Sequence, residues 1–383
     1  MHAHRGKIIT LPPNRVWRTY PGGRTLDQLA GAPAPADTHL SEDWIASTTR
    51  AVNPPGAQVS ALTAQPATPP GISQVRVGLA PNLRDFAQLL SGDPEYFLGA
   101  EHVRKYGAQP QLLVKFLDSG TRLHFQVHPT REFARRVLGA PSGKTEAYYV
   151  LGVREPSLLP FTSPSAREAS GFIYVGFQRP PAPAQLRDLI ATQDIAAIEA
   201  CFDRIPVQPG DTFIIPGGTP HALGAGVFMV EIQEPSDLVV RFEFERAGYV
   251  LPESARFMNR DVDFALSVFN FSPVGSTDLA QRVRCRPRPL RDFDAGSRQE
   301  ELIGPAQTDC FRVLRTRLLG PVVKAENSAV IAIVTTGTVI AEAGGESLRL
   351  ETYAKCFLPA GLGPVKFTPV NGPAEILECL PPA

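Results

Sequence analysis

Gly120-Thr-Arg-Leu-His-Phe-Gln126-Val-His128 and Gly210-Asp-Thr-Phe-Ile-Ile-Pro216-Gly-Gly218-Thr-Pro-His221 are the two stretches on which the reading of this chain turns. In each, a glycine turn precedes, at a fixed distance, a strand or loop that delivers metal-type ligands. Residues two apart on a strand share a face, so Gln126 and His128 should project together while Leu123, Phe125 and Val127 face the other way. In the second stretch Pro216, Gly217 and Gly218 oppose continued strand pairing, which has a loop present His221. Glu146, heading Glu-Ala-Tyr-Tyr-Val-Leu after the turn Pro-Ser-Gly-Lys, is the carboxylate that completes the set. A glutamine, two histidines and a glutamate suit one borderline divalent ion per chain. Zinc fits best, and iron, manganese or cobalt are compatible with the same residue types.

Around these stretches lie short apolar runs rich in Val, Ile, Phe and Tyr: 111–117, 123–127, 147–153, 172–177, 212–215, 227–232 and 238–244. Many short strands separated by turns imply a β-sandwich or barrel. Helical spacing is confined to 83–90, 132–138, a mixed stretch at 252–268, and 183–202, where Leu186, Leu189, Ile190, Ile195 and Ile198 recur as on one helix face. The segment 183–202 reads as a helical insertion within a first, metal-binding unit spanning 1–250. Residues 251–299 read as a helical and linker connection, and 300–383 as a smaller β-unit with strands at 311–318, 329–335, 338–342, 355–358 and 375–380. All seven histidines precede residue 222, so the second unit has none for a metal, and its Pro359-Ala-Gly361 echoes Pro216-Gly-Gly218 as a degenerate copy.

The 38 basic and 38 acidic residues balance, with no long run of either sign, which argues against nucleic acid or an anionic membrane as partner. No apolar stretch reaches the roughly 18–20 residues that span a bilayer. Met1-His-Ala-His-Arg lacks the order of a signal peptide. Five scattered cysteines, none in a Cys-x-x-Cys pair, suit a reducing compartment. The expectation is a cytoplasmic chain, monomer or homodimer, acting on a small molecule.

The spacing of Gly, five residues, Gln-x-His, and of Gly, five residues, Pro-x-Gly-x-x-His, resembles the two cupin motifs. Leu112-Leu-Val-Lys115-Phe-Leu-Asp, Gln126-Val-His128-Pro, Gly143-Lys144-Thr-Glu146, Pro216-Gly-Gly-Thr-Pro-His221-Ala and Ser236-Asp-Leu-Val-Val-Arg241 resemble, in order and content, type I phosphomannose isomerases. Arg15-Val-Trp17 and Ser41-Glu42-Asp-Trp44 are similar to that family's opening. The resemblance implies a mainly β fold of two cupin-type jelly-roll domains with a small helical insertion. It also implies a zinc-dependent aldose–ketose isomerase that interconverts mannose 6-phosphate and fructose 6-phosphate through a cis-enediol. Gln126, His128, Glu146 and His221 would bind the metal, with Lys144 and Arg241 working beside it.

Moving a proton from C2 to C1 requires a proton carrier with a pKa near working pH and a cation or donor fixed in advance for the developing oxyanion. Glu231 and Lys144 are the candidate carriers, and Arg241 is the candidate donor. Glu231 sits in the apolar run 227–232, where a carboxylate is expensive to bury without a partner such as Arg241. Arg241 shares a strand face with Val239, Glu243 and Glu245; Lys144 is expected on the pocket rim. The chain departs from the family's pattern at His124, where a small hydroxyl residue is usual, at Arg131 in a usually acidic stretch, and at Ala225 in place of asparagine. Arg131, Lys144 and Arg241 are the residues left to hold a phosphate. A non-catalytic sugar-binding or regulatory cupin, an iron-dependent redox cupin and an isomerase of a different sugar remain the alternative readings.

Overall fold

The computed structural model describes residues 4–54, 69–155 and 170–383. It is mainly β, with two jelly-roll-type units and a small helical insertion, as the motifs imply. In the first unit a six-stranded antiparallel sheet carries, in spatial order, Thr212–Ile215, Glu146–Val153, Val227–Gln233, Leu113–Asp118, Glu42–Ile45 and Arg15–Val16. A five-stranded sheet faces it, ordered Ile205–Pro206, Phe172–Val175, His221–Leu223, Gln126–Val127 and Val240–Arg241. Leu117, Val150, Met229, Ile173, Val175 and Leu223 form one buried cluster between the two sheets.

Each sheet is also covered from outside. Val127 and Val240 of the five-stranded sheet, with the flanking Phe125 and Phe242, pack against Leu186, Ile190 and Ile198 of the insertion, which forms two helices, Pro183–Thr192 and Ile195–Glu199. Ala265 and Val268 of the helix Val262–Val268 join the same cluster. Behind the six-stranded sheet, Val114, Phe116, Tyr149, Val230 and Ile232 meet Phe311, Ile331, Ile333, Phe357 and Leu377 of the second unit. A strand buried on both faces must be apolar at nearly every position. Leu112-Leu-Val and Phe-Leu on either side of Lys115 have that character.

The second unit is one continuous sheet that folds over on itself. Its strands Val330–Ala343 and Val365–Leu380 are long enough to pair with different neighbours at their two ends, and register shifts between Val334 and Thr338 mark the bend. What reads in sequence as two strands, 329–335 and 338–342, is therefore a single strand. Arg288–Asp292, Arg298–Ile303, Val322–Lys324 and Glu346–Leu350 are strands that carried no apolar signal of their own. Two segments from the expected first unit also pair here: Ile9–Thr10 with Phe357 and Cys356, and Gln74–Val77 with Ile9–Thr10. Phe86 and Phe97, from the helices Phe86–Gly92 and Pro94–Leu98, share the apolar cluster with Phe357. The N-terminal hundred residues thus tie both units together.

Candidate functional site

Strand register builds the site as two facing rows. On the five-stranded sheet His221 pairs with Gln126, and Gln126 with Arg241, so three strands place these side chains abreast. On the six-stranded sheet Tyr148, Glu231, Lys115 and Trp44 stand opposite one another across four strands. Glu146 and Glu42 lie two residues along from Tyr148 and Trp44, on the same face. Between the rows is a small cavity lined by Gln126, Arg241, Tyr148, Glu231, Lys115 and Glu42 of the rows, and by Arg18, Tyr20, His124 and Lys144.

His221 begins a strand and does not stand on a loop, since pairing resumes directly after the turn. The turn needs its glycines. Gly218 has φ +85°, and a Cβ on Gly217 would lie 2.7 Å from Thr130 Cα, because the loop passes directly over the chain that follows His128. The Gly218 N–H donates to the His128 carbonyl at 2.7 Å, joining the two motif stretches. Leu123 lines the pocket beside His124, opposite to the expected alternation; regular pairing begins only at Gln126, so strand parity does not extend back to residue 123.

His128, Glu146 and His221 bring their ligand atoms within 4.8 Å of one another, and all three are buried. His128 Nε2 is 3.0 Å and His221 Nε2 3.5 Å from the two oxygens of Glu146. The other ring nitrogens are held by carbonyls, His128 Nδ1 by Leu238 and His221 Nδ1 by Thr219, each at 2.8 Å. This fixes the tautomer with the Nε2 lone pairs aimed inward, the arrangement that metal-binding histidines require. The Gln126 amide is 3.3 Å from His221 Nε2, and a half-turn of that amide presents its oxygen at the same point. Burial pushes the His128 imidazole down to about 3, with Lys144 adding to the effect, and burial also lowers His221. Both rings are neutral at pH 7, as ligation demands. Burial by itself would raise the Glu146 carboxyl, but Lys144 and His128 outweigh it and hold the group well below the usual range. The donor set fits a divalent ion.

Lys144 is not on the rim. It is buried, bonded to Glu146 Oε1 and 3.0 Å from His128 Nε2, and it lies 3.8 Å from Glu231. Glu231 pairs with Lys115 at 2.9 Å and not with Arg241. Glu42 takes up the other side of Lys115 at 3.5 Å and accepts from Trp44 Nε1 and from the Tyr20 hydroxyl. Burial pushes the Glu231 carboxyl up to about 7; Lys115 opposes that and Glu146 adds to it. Lys115 is drawn up by Glu231 and Glu42 despite its burial, so within this cluster Glu231 is the carboxyl most readily protonated.

Arg241 is buried, donates to the Ala255 carbonyl at 3.0 Å and makes no ion pair among the described residues. Burial, then the neighbouring Arg18, push it down to about 10. Glu243, on the same strand face by alternation, pairs with Arg122 and not with Arg241. Arg131 stands apart: it binds Glu234 at 2.8 Å and Asp309 at 3.1 Å and does not line the pocket. His124 does line it, held neutral by burial that lowers it to about 4.

The residues that the sequence reading gave no role are Arg18, Tyr20, Glu42, Lys115, Tyr148 and Asp237. Arg18 binds Asp237 through both terminal nitrogens at 2.9 Å and lies 3.4 Å from Glu42. Lys115 carried a usable signal, because a lysine centred in an otherwise apolar strand is almost never fully buried unless paired.

No family model matches the chain. It is 34% identical over 185 residues to a mannose-6-phosphate isomerase of Streptococcus mutans, covering 47% of this chain and 49% of that protein. It is 27% identical over 136 residues to the mannose-6-phosphate isomerase ManA of Bacillus subtilis, covering 35% of this chain and 38% of that one. The chain thus spans half or less of the length of these curated relatives. Among solved structures, mannose 6-phosphate isomerase from Bacillus subtilis superposes with TM-score 0.68 at 19% identity, over 97% of this chain and 99% of that one. A variant of phosphomannose isomerase from Salmonella typhimurium superposes with TM-score 0.68 at 15% identity, over 98% and 100%. In part of its sequence, and in fold along nearly its whole length, this chain is similar to the phosphomannose isomerases.

Proposed function

We propose that the chain is a metal-dependent aldose–ketose isomerase that interconverts mannose 6-phosphate and fructose 6-phosphate by moving a proton between C2 and C1 through a cis-enediol. The observation that carries this reading is that the His128–Glu146–His221 ligand cluster adjoins, through Gln126 and Lys144, a cavity lined by Glu231, Lys115, Lys144 and Arg241. Binding a metal alone needs none of the last four. The names of the curated relatives supply the substrate.

A divalent ion, zinc by ligand type, held by Gln126, His128, Glu146 and His221 would polarise the sugar oxygens beside the migrating hydrogen. Glu231 is the proton carrier. Its carboxyl titrates near neutral pH, where a group can both accept and return a proton, whereas the Lys144 ammonium is committed to Glu146 and His128. Lys115 orients Glu231 from the adjacent strand. Arg241, buried with a single carbonyl partner, is a donor already desolvated for the developing enediolate oxygen. Of the three residues expected to hold a phosphate, Arg131 is taken by Glu234 and Asp309 and Lys144 by Glu146 and His128, which leaves Arg241 as the one without an ion pair among the described residues.

A coupled assay of metal-loaded protein on mannose 6-phosphate, beside a chelator-treated control, tests the reading. Metal-dependent formation of fructose 6-phosphate is the expected result. Bound metal without turnover on this ester or on a panel of aldoses and their phosphates would replace it with a binding role.

A further inference from the structure

The six-stranded sheet has a cavity on each of its faces. Along Glu42–Ile45 and Leu113–Asp118, Glu42 and Lys115 point into the candidate active pocket, and the next residues, Asp43 and Phe116, point out of its back. There they form one wall of a solvent-open cleft that is roomier than the pocket on the other face. The helix Arg24–Leu29 and the segment from Leu348 to Lys355 close its other sides. A roomy concave cleft that joins an apolar floor to convergent charged and polar side chains fits a small-molecule site.

The polar groups in the cleft are not equivalent. Lys355 is bonded to Asp43, and Arg15 to Asp27 and the Leu40 carbonyl, so these are satisfied within the protein. The Arg76 side chain, on the strand Gln74–Val77, makes no hydrogen bond or ion pair among the described residues, and neither does the Tyr353 hydroxyl. Tyr353 stands on a backbone with φ +67°, a conformation that bulky residues rarely adopt and that tends to be kept at functional positions. Its ring meets Phe116 edge-on, with centroids 6.3 Å apart and planes at 81°. One uncompensated cation and one free phenol thus stand over an aromatic and aliphatic floor.

We infer that this cleft binds a small amphipathic anion, its phosphate or carboxylate on Arg76 and its apolar, ring-sized body against Phe116 and Tyr353. Asp43 and Phe116 adjoin Glu42 and Lys115 in the chain, so an occupant of the cleft presses on the same two strands that carry the proton-transfer cluster. The inference does not depend on the isomerase reading.

Calorimetric titration of the full chain with phenyl phosphate, benzoate, phenol and inorganic phosphate tests it. One saturable site is expected, with an aromatic anion binding at least about tenfold more tightly than phenol or inorganic phosphate. The stronger of phenyl phosphate and benzoate identifies the head group. Arg76→Ala should weaken that binding at least about tenfold and Arg76→Lys should restore most of it, while Arg241→Ala leaves it unchanged. Absence of saturable binding to either aromatic anion below about 10 mM would overturn the inference. So would binding indifferent to Arg76→Ala, or binding lost in Arg241→Ala, which would put the ligand in the other pocket. Neither of those results bears on the isomerase assay.

Discussion

Single side chains in this pocket are distinguished by what already holds them. Arg241 has its charge buried and one carbonyl partner, so its removal should leave the fold and the candidate metal ligands in place while removing the proposed oxyanion donor. Arg241→Ala is expected to retain metal and thermal midpoint and to lose about 10²–10³-fold in turnover, read by metal analysis beside steady-state kinetics. Glu231 gives a pH signature. A base must be unprotonated, and burial raises this carboxyl to about 7, so turnover should climb as pH rises through about 7. Glu231→Asp should move that midpoint and Glu231→Gln should abolish turnover with metal content intact. A pH profile without a limb near neutrality, or an active Glu231→Gln, would move the role to another residue. Lys144 and Arg131 show where residue-level reading runs out. Both are basic residues beside motif positions, yet Lys144 turns inward to Glu146 and Arg131 outward to Glu234 and Asp309, and only neighbours distant in sequence decide which.

At the scale of elements, the site depends on a turn that sets where His221 enters its strand. The Pro216–Gly218 turn rests on the chain at Pro129 and Thr130, leaving no room for a side chain at Gly217. Gly217→Ala must displace backbone, because the atoms it meets are Thr130 Cα and N and the Pro129 carbonyl, none of which can rotate away. His221, four residues on, moves with the turn. The variant is expected to lose at least about tenfold in metal affinity, the scale seen when groups supporting metal ligands are lost, measured as ion retained after dialysis against graded chelator. A Gly217→Ala protein that keeps its metal would show that the turn is a spacer only.

The whole molecule carries its stability in two places. Phe357 is buried in the cluster shared by the six-stranded sheet, the N-terminal helices and the second unit, so Phe357→Ala should cost about 3–5 kcal/mol in urea denaturation. A fall confined to the second unit would mean that the two units unfold separately. The pocket makes the metal-free protein acid-sensitive. His124 is lowered from 6.5 to about 4 by burial, so the folded state resists a proton that the unfolded chain accepts below pH 6.5. Its contribution to stability is complete above pH 6.5 and is lost as pH falls from 6.5 to 4, on the order of 3 kcal/mol. His128, lowered to about 3, adds to the same slope. Urea midpoints of chelator-treated protein should therefore fall over this window, and His124→Gln should flatten the fall. Asp237, held down by Arg18 against its own burial, gives way only at more acid pH.

The residues of the candidate ligand cluster were legible in the sequence because their signal is local. Gln126 and His128 lie two apart on a strand, Glu146 opens one, and His221 follows a proline–glycine turn, each a pattern of a few residues with a geometric meaning. The longer strands of the first unit and the helical insertion were legible for the same reason, since their apolar runs are long enough to show a period, whereas Arg15–Val16, Glu42–Ile45 and Ile205–Pro206 were not. The strands 288–292, 298–303, 322–324 and 346–350 were not, because several are exposed or mixed in burial and gain order from pairing more than from apolar content. Tertiary structure alone decided that Lys115 stands opposite Glu231, that Glu42 arrives from seventy residues earlier, and that Ile9–Thr10 belongs to a sheet completed after residue 350. A buried charge is tolerable only with its partner in place, and the partner of a strand residue is set by register between strands remote in the chain.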